Sequence, residues 1–428
     1  MYARLRWFII ILLFIGGGIS YLDRAALSIA APMIAHDLAL DPARLGIVFS
    51  SFFFGYALFC FVGGYASDKI GPKNVFSIAM SVWSVFCGLT AAATGIVSLL
   101  IIRVIFGMGE GPFSSTASKL VSNWFPRHEQ ASAVGLANAG QPLGAALAGP
   151  VVGFIAVAAG WRISFVVIAA VGLIWTVAWL ICATDRPSLH RWLAAAEKRE
   201  AAQVVPDPAA SAETALPLSA YLRRPAILAT AFAFFGYAYI LYFFLSWFPT
   251  YLATVQHLSI QRMGVVNAIP WLIGFIGLAS GGFVGDAIYR RTGDALFARK
   301  LILVGSLAIA AVCVAVAGLV TSIFAVVALM AVSVFFMYLT GNTYFAIILD
   351  TVPPARVGGV GGFVHLIANL AGIVAPSATG FLIEGTGSFT SAFVLTGAIA
   401  ICGALSVAVL VRQDRPEPLP GAARVKPV

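Results

Sequence analysis

The chain has 428 residues, of which 61 % are hydrophobic and only 10 % are charged. A soluble domain typically has about 25 % charged residues, so this composition excludes an ordinary soluble protein and is typical of a chain surrounded by lipid. The formal net charge is +9. Because the basic residues lie in loops between apolar runs, this charge indicates membrane topology rather than nucleic-acid binding.

The N-terminal segment has the features of a signal peptide, since Arg4 and Arg6 precede an apolar run that ends in small residues. The apolar character resumes at once through residues 27–31, and eleven more apolar runs follow. We therefore interpret this segment as the first of twelve membrane spans.

Each apolar run is long enough for a helix of about 20 residues that crosses a bilayer. The sequence thus predicts an all-α membrane protein with twelve transmembrane helices. The predicted spans are Trp7–Ala31, Leu45–Ala66, Asn74–Gly95, Ile96–Trp124, Ala131–Val157, Trp161–Ala183, Ile227–Leu252, Met263–Ile288, Leu301–Gly318, Ile323–Leu349, Val357–Ile383 and Phe389–Val411.

Loop charges predict the orientation of these spans. Twenty of the 26 lysines and arginines fall on one side, three on the other and three within spans. The richer side is expected to be cytoplasmic, which places both termini there. The short outer loops contain no Asn-x-Ser/Thr acceptor, and we expect a multi-pass protein of the bacterial cytoplasmic (inner) membrane.

A polar segment divides the spans into six and six. We predict an N-terminal six-helix bundle over 1–184, a cytoplasmic linker over 185–224, a C-terminal six-helix bundle over 225–412 and a cytoplasmic tail over 413–428. Within the linker, Ser188 is expected to cap a short amphipathic helix through Arg199. Residues 206–217 are rich in Ala, Pro and Ser and suit a flexible connection.

The two predicted halves repeat weakly. Gly64-Tyr-Ala-Ser-Asp68 follows span 2, and Gly282-Phe-Val-Gly-Asp286 follows span 8, about half the chain length later. Repeated halves with a site between them are typical of secondary transporters. The sequence therefore predicts two pseudo-symmetric bundles with a transport site at the middle of the membrane.

The pattern Gly-x-x-x-Asp-Lys-x-Gly-x-Lys at 64–73 resembles the loop signature of the major facilitator superfamily. Further motifs resemble its anion:cation symporter family, which includes bacterial symporters for galactonate, hexuronates and glucarate. These motifs are Tyr21-Leu-Asp23-Arg24, Gly107-Met-Gly-Glu110-Gly-Pro112, Asn138-Ala-Gly-Gln141, Tyr242-Phe-Phe-Leu-Ser-Trp-Phe-Pro-Thr-Tyr251 and Asn369-Leu-Ala-Gly372. The resemblance implies the major facilitator fold and proton-coupled carriage of a carboxylate.

The resemblance also implies that a gating loop holds the inner gate closed when the site faces outward. The residues concerned are Gly64, Asp68, Lys69, Gly71, Lys73 and, in the second half, Asp286. For the lysines, positive-inside topology is an equal alternative. The chain departs from the family where Ala287 follows Asp286 and where His365 replaces an asparagine common in sugar-acid carriers, which leaves the substrate open.

Charged side chains inside the spans are the strongest signal of function, because a charge in the bilayer is costly and usually functional. The acids are Asp23 and Glu110, and the bases are Arg24, Arg103 and Lys119. Arg103 and Glu110 are two turns apart on one face of span 4, too far for a direct bond, so each is expected to pair with another span. A purely structural ion pair is the alternative.

The charge balance predicts a coupling mechanism. With Asp23, Glu110, Arg24 and Arg103 ionised the site is neutral, and an incoming carboxylate adds one negative charge that a proton cancels. A carboxyl that loses its arginine partner takes up a proton more readily, so substrate and proton bind together. We predict Glu110 as the main proton carrier, Asp23 as a second carrier or release switch, and Arg24 as the clamp on the substrate.

Polar side chains at similar depth are predicted to bind the substrate. Helical rise puts Tyr56, Gln141, Tyr239 and Asn369 in the middle third of the bilayer, and amide and hydroxyl groups offer the donors and acceptors that hydroxyl-rich substrates need. This predicted set is Tyr21, Arg24, Tyr56, Gln141, Tyr239, His365 and Asn369. Interhelical packing is the alternative for each tyrosine and for His365, which is also a candidate titrating group.

The sequence contains neither a metal cluster nor a cofactor motif. The five histidines are scattered, the cysteines lie in apolar runs, and the glycines around Glu110 lie inside a span rather than in a phosphate loop, so we expect no enzyme. We predict a monomer in the lipid bilayer that binds a small organic anion and protons, most simply a sugar acid such as galactonate. Symport of an aromatic or dicarboxylic acid, proton-driven efflux and anion exchange remain open alternatives.

Overall fold

The structure is a computed structural model that describes residues 2–198, 217–341, 343–352 and 354–411. All regular secondary structure in these residues is helical. Twelve of the helices are long and apolar enough to cross a membrane, so the predicted fold class and number of spans are confirmed.

Most spans extend a few residues beyond the predicted limits, because a helix continues where its side chains are already polar, whereas spans 3, 6, 9 and 12 end earlier than predicted. They are Tyr2–Asp37, Pro42–Ile70, Pro72–Leu89, Ile96–Glu110 with Phe113–Trp124, Arg127–Ala159, Trp161–Cys182, Pro225–Thr254, Ile260–Thr292, Ala295–Ala317, Ile323–Leu339 with Thr343–Thr351, Pro354–Thr386 and Thr390–Leu410, numbered here as spans 1 to 12.

Spans 4 and 10 are broken, whereas the sequence predicted continuous helices. In span 4 the first segment ends at Glu110 and the second begins at Phe113. Pro112 has no N–H to continue the helical ladder, so the break falls at this residue. Span 10 breaks at the equivalent place, between Leu339 and Thr343. The break in span 4 therefore follows directly after a predicted proton carrier.

The helices pack in the same pattern in both halves. Span 1 packs on span 5, span 2 on span 4 and span 3 on span 6; spans 7 and 11, 8 and 10, and 9 and 12 repeat these pairs. This repetition gives the fold its pseudo-symmetry. The exact boundaries predicted for the two halves remain a prediction.

The halves meet chiefly along two helix pairs, span 2 with span 11 and span 5 with span 8, and span 1 also contacts span 7. Glycine allows backbone contact in both pairs: Gly149 lies against Gly264, and Gly46 against Pro376. We call the end of the bundle at which span 1 begins the basic end, and the end at which span 1 finishes the far end. At the far end the Ala43 N–H donates to Glu384 Oε2 at 3.2 Å.

In the segment after span 6, the prediction that Ser188 caps a helix is wrong. Ser188 lies inside a 3₁₀ turn, Pro187–Leu189, and helix resumes only at residue 195, so Ser188 does not cap it. His190 is buried and its ring contacts Trp124, which fixes the segment to span 4. Burial lowers the pKa of His190 below its usual value. The predicted flexible stretch, apart from residue 217, and the predicted tail over 413–428 lie outside the described residues.

Candidate functional site

A buried ion pair between spans 1 and 4 forms the centre of the site. Glu110 Oε1 accepts hydrogen bonds from Arg24 Nη2 and from Ser20 Oγ. The side chains of Arg24 and Glu110 are 5 % and 1 % exposed. A charge buried this far is tolerated only when it is paired and hydrogen-bonded, and this contact meets that requirement.

Aromatic rings enclose the Arg24 guanidinium. Its Cζ lies 4.8 Å from the ring centre of Tyr21, 4.9 Å from Phe52, 4.9 Å from Tyr56 and 5.8 Å from Phe53. The electron-rich faces of aromatic rings attract a cation, and this attraction replaces part of the stabilisation that water gives to an exposed arginine. These rings and Arg24 form what we call the arginine cage.

Asp23 points to a different neighbour from Arg24, because adjacent residues on a helix face about 100° apart. Asp23 Oδ2 accepts a hydrogen bond of 2.9 Å from the indole Nε1 of Trp83 in span 3. Asp23 is 1 % exposed and Trp83 is fully buried. The adjacent acid and base of span 1 thus bind to spans 3 and 4 respectively.

Arg103 completes the group of charges. Its Cζ lies 4.8 Å from the ring centre of Phe106 and 5.1 Å from that of Phe52, which also contacts Arg24. Gly107 permits this arrangement, because a side chain there would collide with the backbone of Phe52. One ring of span 2 therefore contacts both arginines.

Both acids have one hydrogen-bonded oxygen and one without a partner. Within the described part of the chain, Glu110 Oε2 and Asp23 Oδ1 are buried and accept no hydrogen bond. A buried carboxylate oxygen without a donor is costly. Each acid therefore has one oxygen available for a proton.

The second half faces this group with uncharged polar residues. The Tyr242 hydroxyl of span 7 donates to Asn369 Oδ1 of span 11 at 3.0 Å, and Asn369 Nδ2 donates to the backbone oxygen of His365 at 2.9 Å. The Tyr242 ring lies 4.3 Å from that of Phe53, which belongs to the arginine cage. Asn369 is thus two side chains away from Arg24.

Two further predicted substrate residues lie near this group. His365 is exposed one turn from Asn369, and its ring packs at 5.1 Å against Phe234. Gln141 is half-buried and lies beside Gly17 of span 1, one turn before Tyr21.

Tyr239 is the predicted substrate residue that the structure does not bring to the group. It is 1 % exposed, and its ring packs on Phe235. It lies one turn from Gly236, which contacts span 12 at Ala400. Tyr239 packs along the side of span 7 that faces span 12, whereas the Tyr242 ring contacts Phe53 of the arginine cage. Depth along a span, which suggested Tyr239, does not specify its face.

Sequence reasoning missed three partners in the group. Ser20 was detectable, since it lies four residues before Arg24 on the same helix face. Tyr242 was part of a family motif but carried no chemical signal of its own. Trp83 had no sequence signal, because an indole within an apolar span looks like packing.

The gating loop lies at the basic end. Asp68 forms an ion pair of 2.6 Å with Lys119 of span 4, within the first half. Lys69 Nζ lies 5.7 Å from the ring centre of Tyr65, and the backbone N–H of Lys73 donates to Asp185 at 2.7 Å.

The glycines of the gating loop lie at tight places. Gly71 has a positive φ of 84°, a backbone conformation that favours glycine, in the turn between spans 2 and 3. Gly64 lies beside Ser115 of span 4, which a side-chain carbon at position 64 would meet at ordinary van der Waals distance. The side chain of Asp286 lies outside the described residues.

Comparison with known proteins gives the context of this geometry. A family model described as Major Facilitator Superfamily matches residues 13–296 and 289–427. The hexuronate transporter of Bacillus subtilis (strain 168) is 49 % identical, with 96 % of both chains covered. The D-galactonate transporter of Escherichia coli O6:H1 is 32 % identical over 96 % of both chains. The probable sulfoacetate transporter of Cupriavidus necator is 33 % identical over 95 % of this chain and 94 % of its own.

Solved structures share the fold. The D-xylose-proton symporter superposes with a TM-score of 0.74 at 17 % identity, over 96 % of this chain and 98 % of its own. A bacterial homolog of the human lysosomal transporter Spinster, in an inward-facing and occupied conformation, gives 0.71 at 16 % identity, over 95 % of both chains. At these identities the likeness concerns the fold alone.

Proposed function

Since the chain belongs to the Major Facilitator Superfamily, we propose that this multi-pass transporter of the bacterial inner membrane carries a sugar acid into the cell together with protons. A hexuronate is the first candidate, supported by the 49 % identical hexuronate transporter. Galactonate is the second, supported by the galactonate relative. The observation that carries the proposal is the ion pair of Arg24 and Glu110 inside the arginine cage.

The substrate carboxylate competes with Glu110 for Arg24. Arg24 Nε is buried without a partner among the described residues, so the guanidinium has an unused donor. A guanidinium binds a carboxylate best through two parallel hydrogen bonds. When the substrate takes these donors, Glu110 loses its ion pair.

Glu110 then takes up a proton. Without Arg24 it would be an unpaired charge in a water-poor interior, which is far less stable than a neutral carboxyl. Oε2 is the oxygen that receives the proton, because Oε1 still accepts from Ser20. Substrate and proton therefore bind together, and each raises the affinity for the other.

Asp23 is the second carrier in this proposal. Trp83 holds its Oδ2, and Oδ1 is open to a proton. Asp23 and Arg103 lie in the same buried group, so protonation of Asp23 changes the charge around Arg24. Tyr21, Tyr56, Gln141 and Asn369 supply hydroxyl and amide groups for the substrate hydroxyls, and His365 extends this surface toward the basic end.

The proton gradient sets the direction of transport, because in symport the anion moves with the protons and protons are driven into the cell. With the basic end in the cytoplasm, the gating loop lies at the inner gate. We propose that the Asp68–Lys119 ion pair opens when the inner gate closes, and that both side chains then pair with residues of the other half. In this proposal Lys69 and Lys73 lie near the lipid headgroups.

The test is uptake of labelled D-glucuronate into proteoliposomes with an inward proton gradient, with internal pH recorded at the same time. Wild-type protein should concentrate the label and acidify the lumen. Glu110→Gln should lose accumulation while retaining exchange of internal for external glucuronate, because the neutral amide mimics the protonated acid. Galactonate and aromatic and dicarboxylic acids complete the panel.

Glu129→Gln is the matched control, since Glu129 also pairs with an arginine, Arg6, at 2.9 Å but at the basic end. It should behave as wild type. Accumulation that persists in Glu110→Gln would reject the assignment of the proton. Exchange in the wild type without any pH change would favour an anion exchanger, and a wild type that moves none of the acids would reject the substrate class.

A further inference from the structure

The second half contains a buried tyrosine hydroxyl that the mechanism above does not use. Tyr338 of span 10 is 4 % exposed, and within the described residues its hydroxyl has no hydrogen-bond partner. Native proteins rarely leave a buried hydroxyl unpaired. Tyr338 lies just before the break in span 10, as Glu110 does in span 4.

Ring contacts connect Tyr338 to the arginine cage. Its ring centre lies 6.4 Å from that of Trp271 in span 8, and Trp271 lies 6.4 Å from Tyr21 in an edge-to-face contact. Tyr21 is the ring at 4.8 Å from Arg24. Through these ring contacts Tyr338 faces the same interior as the cage, from the opposite half.

Space for the Tyr338 ring comes from the sequence of span 8. Gly274 lies directly against the ring, and a side chain there would collide with it. Tyr237 of span 7 holds the other side, with its ring perpendicular at 6.4 Å. The ring is thus held between spans 7 and 8, while no residue in the described part of the chain pairs with its hydroxyl.

Resting on the function proposed above, we propose that the Tyr338 hydroxyl binds a hydroxyl of the sugar acid remote from its carboxylate, and so determines which sugar acids are accepted. A tyrosine hydroxyl both donates and accepts, as a sugar hydroxyl does. Arg24 of the first half holds the carboxylate, and Tyr338 of the second half binds the part of the same substrate molecule that is remote from the carboxylate. A site built to pair a substrate hydroxyl rejects the analogue that lacks it.

The experiment measures competition against labelled D-glucuronate for purified protein, with a panel of monodeoxy analogues. Tyr338→Phe removes the hydroxyl and keeps the ring. We expect glucuronate to bind about 10-fold to 100-fold more weakly to this variant. One deoxy analogue should bind both proteins equally, because it lacks the hydroxyl that Tyr338 pairs.

Tyr239→Phe is the matched control: Tyr239 is equally buried but packs on Phe235 away from the group, so it should leave every affinity unchanged. If Tyr338→Phe weakens all analogues alike, or none, the inference is overturned while the proposed function stands. If the wild type binds no sugar acid, the proposed function fails and this inference fails with it.

Discussion

The two halves share one packing pattern but differ in their interior chemistry. The first half buries four charged side chains, Asp23, Arg24, Arg103 and Glu110, inside spans 1 and 4. Among the described residues of the second half, the buried polar side chains are hydroxyls and amides, with none charged. Repeated helices thus support two different kinds of interior.

The difference indicates a division of roles. Charges bind the carboxylate and the proton, and they must lie together because each changes the protonation of the others. Hydroxyls and amides form hydrogen bonds with the hydroxyls of the substrate, and these bonds need no charge on the protein. Under this division, variants of the first half should change coupling, and variants of the second half should change selectivity alone.

The largest expected effect comes from Arg24→Lys. Lysine keeps the charge but loses the planar group that fits between the rings and pairs with two oxygens. We expect the kcat/KM for glucuronate uptake to fall about 100-fold, or ~3 kcal/mol. Arg44→Lys is the control, because Arg44 is exposed and pairs with Asp41 at the far end. Near-normal uptake by Arg24→Lys would show that the substrate carboxylate binds to a residue other than Arg24.

A smaller effect is expected from Tyr242→Phe. The change removes the donor to Asn369 Oδ1 and leaves that amide oxygen unpaired, at about 1 kcal/mol or fivefold in affinity. Since no charge changes, the pH dependence of uptake should match that of the wild type. A shifted pH profile would contradict the division between the halves. Parallel measurement of KM and of uptake from pH 5 to pH 8 separates the two outcomes.

The smallest effect is expected from Glu384→Gln, where the halves touch at the far end. The amide still accepts from the Ala43 N–H but without a negative charge near the start of span 2, so the contact weakens by less than about 1 kcal/mol. Opening at this end should become easier and the rate of exchange should change by less than about fivefold. The control is Asp41→Asn, which keeps a helix cap within one half. If Glu384→Gln lost exchange altogether, Glu384 would have a role beyond this contact between the halves.

Residue chemistry and linear spacing were enough for much of this description. The spans could be counted because the bilayer requires long apolar helices. Asp23, Arg24, Arg103 and Glu110 could be selected because charge in lipid is rare. The breaks of spans 4 and 10 were not anticipated, although Gly111 and Pro112 were visible, since neighbouring helices can also support an unbroken kink.

The sequence by itself determined the class of protein, the number of spans and which side chains are costly enough to require a role, because these depend on composition and on the thickness of the membrane. Only the tertiary structure decided the pairing: Glu110 with Arg24 and Ser20, and Asp23 with Trp83. It also turned Tyr239 away and Tyr338 inward. Which helix face meets which neighbour depends on the rotation and packing of whole helices, and residue spacing along one span does not contain that information.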